Sequence, residues 1–128
     1  MNKAKREFFI GEKRIYLGED KILYTDWAGE LTGEIVNSLY DFFTLHKTEM
    51  MVDGKVRLLV DLTNAKKPSM EARKLTYILS EDKDMGKVAL LGLNPVAKVI
   101  AAFFMGNSKK KDVKFFNTKE SAIVWLKE

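Results

Sequence analysis

Cysteine is absent from this chain, histidine occurs once and proline twice. The missing thiols exclude disulfides, cysteine nucleophiles and thiolate metal sites together. His46 has no second imidazole with which to build a zinc or facial-triad site. A Ser-His-Asp arrangement would have to run through His46, and no G-x-S-x-G elbow accompanies it. His46 is expected at the surface near a helix C-terminus, where a cation is favoured. Neither G-x-G-x-x-G nor G-x-x-x-x-G-K-[ST] occurs, so nucleotide phosphates lack their usual backbone cradle. The longest apolar run, "VIAAFFM" from Val99 to Met105, falls far short of the ~20 residues a spanning helix needs. The N-terminal "MNKAKREFF" is basic, but Gly11, Glu12, Lys13 and Arg14 interrupt any apolar signal core. These gaps lead to an expectation of a cytoplasmic chain with no cofactor, no metal and no membrane span.

What the chain does have is a core. Of its 128 residues, 46% are hydrophobic, enough for one folded domain over residues 1–128 and too many for wholesale disorder. The net charge of +4 is unevenly spread: residues 1–64 carry nine Lys/Arg against eleven Asp/Glu, and residues 65–128 carry thirteen against seven. An anionic partner would therefore favour the second half.

The hydrophobic pattern changes period along the chain. "RIYLGEDKILYTDWAG" reads as two strands joined around Gly18-Glu19-Asp20, with Phe8 to Ile10 adding to the first and Gly29 ending the hairpin. From Leu31, apolar residues at Ile35, Leu39, Phe42 and Phe43 recur at helical spacing, with Thr32 as the cap and Glu34 in the first turn. "VRLLV" and "KVALLGL" are near-continuous apolar runs, the pattern of strands covered on both faces, and "VKFF" is a shorter third. Each precedes a capped helix, at Ser69, at Asn94-Pro95 and at Thr118, and Gly106-Asn107 closes the third helix. Pro68 and Pro95 both stand where a helix should begin. The order β-β-α-β-α-β-α-β-α predicts an α/β domain: a mixed sheet of about five strands, parallel in its second half, packed with four helices. The closing "TKESAIVWLKE" is too short to be helical alone, so it must dock, with Ala122, Trp125 and Leu126 on one face and Trp125 as a buried anchor.

Candidate chemistry is sparse. Glu81, Asp82 and Asp84 gather at a helix end, but Lys83 and Lys87 interleave, which reads as a solvated terminus. The run "KKKDVKFF", with Lys109, Lys110, Lys111 and Lys114, is the best phosphate-binding signal; its aromatics belong to a core strand, and nucleic acid is set aside as a partner. Loop ends remain. Parallel strands would bring Asp61, Gly92 and Phe116 to one rim, opposite the starts of three helices, with Asp61, Thr63, Ser69, Asn94 and Thr118 close by. Capping accounts for Ser69, Asn94 and Thr118; Asp61 needs another partner, a loop amide or Lys66.

The segment from residue 56 onward resembles the STAS-like domains, the superfamily of the anti-sigma-factor antagonists, and within it an uncharacterised bacterial branch. The likeness rests on Val60-Asp61-Leu62, Glu71-Ala72-Arg73, the stretch Ala89 to Phe104 and the tail Phe116 to Leu126. It implies a non-catalytic regulatory or protein-binding module of the STAS-like fold, switched in the antagonists by phosphorylation of a serine at the start of the helix after a "DLS" strand. Asp61-Leu62-Thr63 matches that strand, but Met70 holds the acceptor position and Ser69 stands one place early, as the remaining candidate phosphoacceptor. The expected partner surface comprises Asp61, Thr63, Lys66, Ser69, Arg73 and Asn94, for a protein partner or a second copy of the chain. The alternative is a small-molecule or lipid-binding domain with an apolar pocket beside the helix 95–106, whose residues are apolar nearly all round apart from Lys98.

Overall fold

The early alternation resolves into an antiparallel meander of β1 (Glu7–Ile10), β2 (Lys13–Leu17) and β3 (Ile22–Asp26). The computed structural model describes residues 7–105 and 112–128, with side chains of the first segment described to residue 102. Phe8 to Ile10 do not extend β2, as the sequence suggested, but form a strand of their own. A tight turn with Gly11 at φ +60° folds β1 back so that Ile10 faces Lys13, which a residue with a Cβ would resist. That is how five expected strands become six in the main sheet.

Gly29 likewise starts a strand instead of ending one. The short β4 (Gly29–Leu31) pairs in parallel with β6 (Ala65–Pro68), so the polar stretch after Asp61 is partly a second, two-stranded sheet. Pro68 closes β6 and Ser69 caps the next helix; only Pro95 stands at the first position of a helix. Between the two short strands runs α1 (Gly33–Met50), and β5 (Val56–Asp61) precedes β6. Three further units complete the chain: α2 (Met70–Ser80) with β7 (Met85–Leu91), α3 (Pro95–Met105) with β8 (Val113–Phe116), and α4 (Lys119–Lys127).

The four expected caps all form. Thr32, Ser69, Asn94 and Thr118 accept hydrogen bonds from the amides of Ile35, Ala72, Ala97 and Ser121 respectively. The main sheet runs β1-β2-β3-β5-β7-β8, antiparallel at its first two junctions and parallel at the other three. One face packs against α1, α2 and α3 around Trp27, Val36, Phe43, Val60, Leu90 and Ile100. The other carries α4, whose Ala122 and Leu126 are buried against Ile22, Tyr24, Leu59 and Ala89.

Trp125 is not the buried anchor that its helical spacing predicted. Trp27 is 1% exposed in the larger core, whereas Trp125 is half-buried, tilted against Phe116 with ring centroids 5.4 Å apart. The nine-residue α4 buries only Ala122 and Leu126; Trp125, three residues from Ala122, sits at the margin of that stripe. The acids at the end of α2 have structural work: Tyr40 donates to Asp82 Oδ2 at 2.7 Å and Lys47 pairs with Asp84 at 2.7 Å, pinning α1 to the α2–β7 turn. His46 lies one turn before the end of α1, tilted against Phe42 and 3.7 Å from Glu49.

No helix among the described residues is long and apolar enough to cross a membrane. The cap expected at Gly106-Asn107, the lysines 109–111, and the side chains of Phe103 and Phe104 lie outside the described residues.

Candidate functional site

Parallel register gathers the strand exits. Asp26 is level with Asp61, Asp61 with Leu91, and Leu91 with Phe116, so the C-terminal ends of β3, β5, β7 and β8 share one rim. Open α/β sheets place ligand sites along such rims. The chain leaves the rim in two directions. Leu62, whose amide donates to Leu91 O at 2.6 Å, turns down toward β6 and α2, while Gly92 and Leu93 lead into α3. A Cβ on Gly92 would lie 3.1 Å from the backbone of Leu62 and 3.0 Å from Ala97, so the close approach of the two exits requires glycine there.

Asn94 locks these exits together. Its Oδ1 accepts from Ala97 N at 2.8 Å, and its Nδ2 donates to Thr63 O at 2.8 Å and Leu62 O at 3.3 Å. Asp61 finds the loop amide the sequence left open: its Oδ1 accepts from Thr63 N at 2.9 Å and from Thr63 Oγ1 at 2.6 Å.

The six candidate residues do not form one patch. Ser69 and Arg73, with Lys66 on the adjoining strand β6, belong to the side where α2 starts. Here a groove of about 190 Å³ runs between the start of α2 and α3, lined by Lys67, Pro68, Arg73, Pro95, Val96 and Val99. Val99 in its wall is 42% exposed, and two further apolar side chains stand open near the ends of these helices in sequence: Met70, the first residue of α2, at 72% and Leu93, two residues before α3, at 70%. Ser69 is exposed at the same helix start, its hydroxyl oxygen held by Ala72 N at 3.0 Å. Asn94 and Thr63 form the rim itself.

Asp61 faces the other way. It joins Asp26, Tyr16, Tyr24, Arg14 and Lys119 in lining a polar cleft of about 110 Å³ on the α4 side of the sheet. Burial, and then the charge of Asp61, raises the Asp26 carboxyl above its usual range; the hydrogen bond from Ala28 N and the charges of Lys13 and Arg14 work against that rise. Lys13, a full-length lysine 2% exposed, donates to Ala28 O at 2.8 Å and to Glu30 O, anchoring β4 to β2. Burial lowers its pKa, opposed by Glu12, Asp26 and Glu30.

Sequence reasoning missed both linings beyond those six residues. Met70 and Val99 were readable as apolar residues off the buried stripe of their helices. The placing of Arg14 level with Asp26 had no such signal, since it depends on the register of β2 against β3.

A six-stranded mixed sheet with three helices on one face and a fourth on the other defines the SpoIIAA-like architecture, in keeping with the STAS-like resemblance of the sequence. The chain is similar to an uncharacterised protein of the DUF3478 family with a SpoIIAA-like fold from Shewanella loihica PV-4. The TM-score is 0.64 at 23% identity, covering 88% of this chain and 89% of that one. Residues 16–128 match the model of a family described as Domain of unknown function (DUF7793), and the chain belongs to that family. No curated protein matches it.

Proposed function

We propose that this protein is a non-catalytic, cytoplasmic regulatory module that works by binding another protein through the groove between the start of α2 and α3. The observation that carries this reading is a groove walled by Pro68, Pro95, Val96 and the exposed Val99, with the exposed Met70 at the start of α2 and the exposed Leu93 two residues before α3. Apolar side chains left open around a depression are a common mark of a docking surface. Lys67 and Arg73 flank the groove, so the fitting partner segment is apolar at its centre and acidic at its edges.

Size separates this reading from the small apolar ligand. Sites that enclose small molecules occupy ~300–1,000 Å³. The groove offers about 190 Å³ and opens to solvent, which suits one or two inserted side chains better than an acyl chain. Phosphorylation of Ser69 would regulate the same surface: a phosphate there adds roughly two negative charges beside the first amides of α2, close to Lys67 and Arg73.

The test is quantitative capture from the native cells with the wild-type protein and with Met70→Glu and Val99→Glu, both at exposed positions. A discrete protein retained by the wild type and lost from both variants supports the groove. Equal retention by all three, or native mass spectra of the purified protein carrying a bound lipid in place of a partner, would overturn the reading. Mass spectrometry after incubation in extract tests the switch, and unmodified Ser69 and Thr63 would count against it.

A further inference from the structure

The polar cleft on the α4 side lies across the sheet from the groove and has no part in the docking reading. Its walls come from four elements. Arg14 and Tyr16 are on β2, Tyr24 and Asp26 on or at the end of β3, Asp61 ends β5, and Lys119 opens α4. α4 packs chiefly on β7, β5 and β8, and the cleft lies where the start of α4 meets β2 and β3. At about 110 Å³ it is several times the ~10–15 Å³ that one water requires.

The floor is an aromatic stack, with the Tyr16 and Tyr24 rings 4.9 Å apart and 10° from parallel. Each ring carries a cation: the Arg14 guanidinium is 4.4 Å from the Tyr16 centroid and the Lys119 ammonium 5.4 Å from that of Tyr24. Beside the stack, Asp26 and Asp61 stand directly opposite each other on neighbouring parallel strands. Like charges in that position repel. Here Arg14, level with Asp26, pairs through Nε with Glu7 at 2.8 Å, and neither aspartate has an ion pair among the described residues. Each carboxylate spends Oδ1 on its own turn, Asp26 on Ala28 N and Asp61 on Thr63, and has a second oxygen to offer. Lys119 likewise has no ion pair among the described residues.

One small cleft thus holds two carboxylates at one end of an aromatic floor and two cations along it. A simple cation would leave Lys119 and the terminal nitrogens of Arg14, whose Nε is taken by Glu7, without an anion; a simple anion would meet the aspartates. We propose that the cleft binds a small zwitterion of the α-amino acid class, its ammonium at the Asp26–Asp61 pair and its carboxylate at Lys119 and Arg14. Charge-assisted hydrogen bonds at both ends supply the orientation, and the tyrosine faces favour the ammonium side.

The experiment is a titration of the ¹⁵N-labelled full chain with each common α-amino acid up to about 10 mM, a range that detects millimolar affinities. At least one should shift the amide resonances of Asp26, Asp61 and Lys119. Its N-acetyl derivative and its methyl ester should each bind at least tenfold more weakly, as should the free amino acid to Asp26→Asn/Asp61→Asn and to Lys119→Gln. Asparagine retains the acceptor that each turn uses, and Lys119 is exposed, so the variants probe the ligand contacts from two independent sides. No shift with any amino acid overturns the proposal, and so does binding that survives acetylation, esterification or either variant. The groove on the opposite face stands or falls separately.

Discussion

Asn94 offers the sharpest test of how the two strand exits are held. Its side chain does two separable jobs: Oδ1 caps α3 through Ala97 N, and Nδ2 bridges to the carbonyls of Thr63 and Leu62. Losing an N-cap costs about 1 kcal/mol. The bridge adds about 1 kcal/mol and no more, because Thr63 is exposed and water replaces the lost donor, while Leu62 O also accepts from Ala65 N at 3.2 Å. Asn94→Ala should therefore cost about 2 kcal/mol. Asn94→Ser, which keeps a capping oxygen but cannot reach the other loop, should cost about 1. For a chain of this length each kcal/mol moves the melting midpoint by about 4 °C, so thermal unfolding should separate wild type, serine and alanine by about 4 °C at each step. Asn94→Asp keeps the cap and turns an acceptor toward two carbonyls, so it should fall at or below serine. A serine variant as stable as wild type would refute the bridge; serine and alanine variants that melt together would refute the cap.

The tryptophans give a paired prediction: Trp27→Ala should cost roughly 3–5 kcal/mol and half-buried Trp125→Ala about half that, by urea unfolding, and equal losses would contradict the packing described. The hydrogen bond from Lys47 holds the Asp84 carboxyl below the usual carboxylate range; burial opposes it, and the charges of Lys47, Lys83 and Lys55 add to the lowering. The stabilisation it brings is complete above the ordinary value of ~3.9 and lost as pH falls through the lower folded value. The Asp84→Asn deficit in melting midpoint should shrink from neutral pH toward about pH 3, and a constant deficit would argue otherwise. Asp26 has the opposite sign. Its raised folded pKa means that stability falls as pH rises from the ordinary carboxylate value through the raised one. Asp26→Asn, which preserves the acceptor for Ala28 N, should melt higher than wild type at neutral pH and converge with it in acid; a lower midpoint at neutral pH would contradict the role given to Asp61's charge.

The crossover units were legible because their signals are local. Apolar runs such as "VRLLV" and "KVALL" have the strand pattern, and each helix carries its own cap in Thr32, Ser69, Asn94 or Thr118. The shared rim followed from parallel register, and it is found: the Leu62 amide donates to Leu91 O at the rim, with Leu93 two residues beyond. The short strands β4 and β6 were not legible. β4 and β6 are too short for a period, and their pairing joins Gly29 to Ala65 across 36 positions of sequence. The split of the candidate residues between two faces was hidden for a related reason. Asp61 and Ser69 are eight residues apart, and only the turn at Leu62 and the unforeseen β6 send one toward α4 and the other toward α2. Trp125 was overvalued because helical spacing shows which face docks but not how wide the surface beneath it is.

The central claim is that the groove between α2 and α3 contacts another protein. The most direct measurement places a photo-crosslinking amino acid singly at Met70, Val99, Glu19 and Val124, all exposed, and irradiates the living cells. Adducts to one discrete protein from positions 70 and 99, with none from 19 or 124, are the predicted result. Adducts of equal yield from all four positions, or none from 70 and 99, would contradict the account.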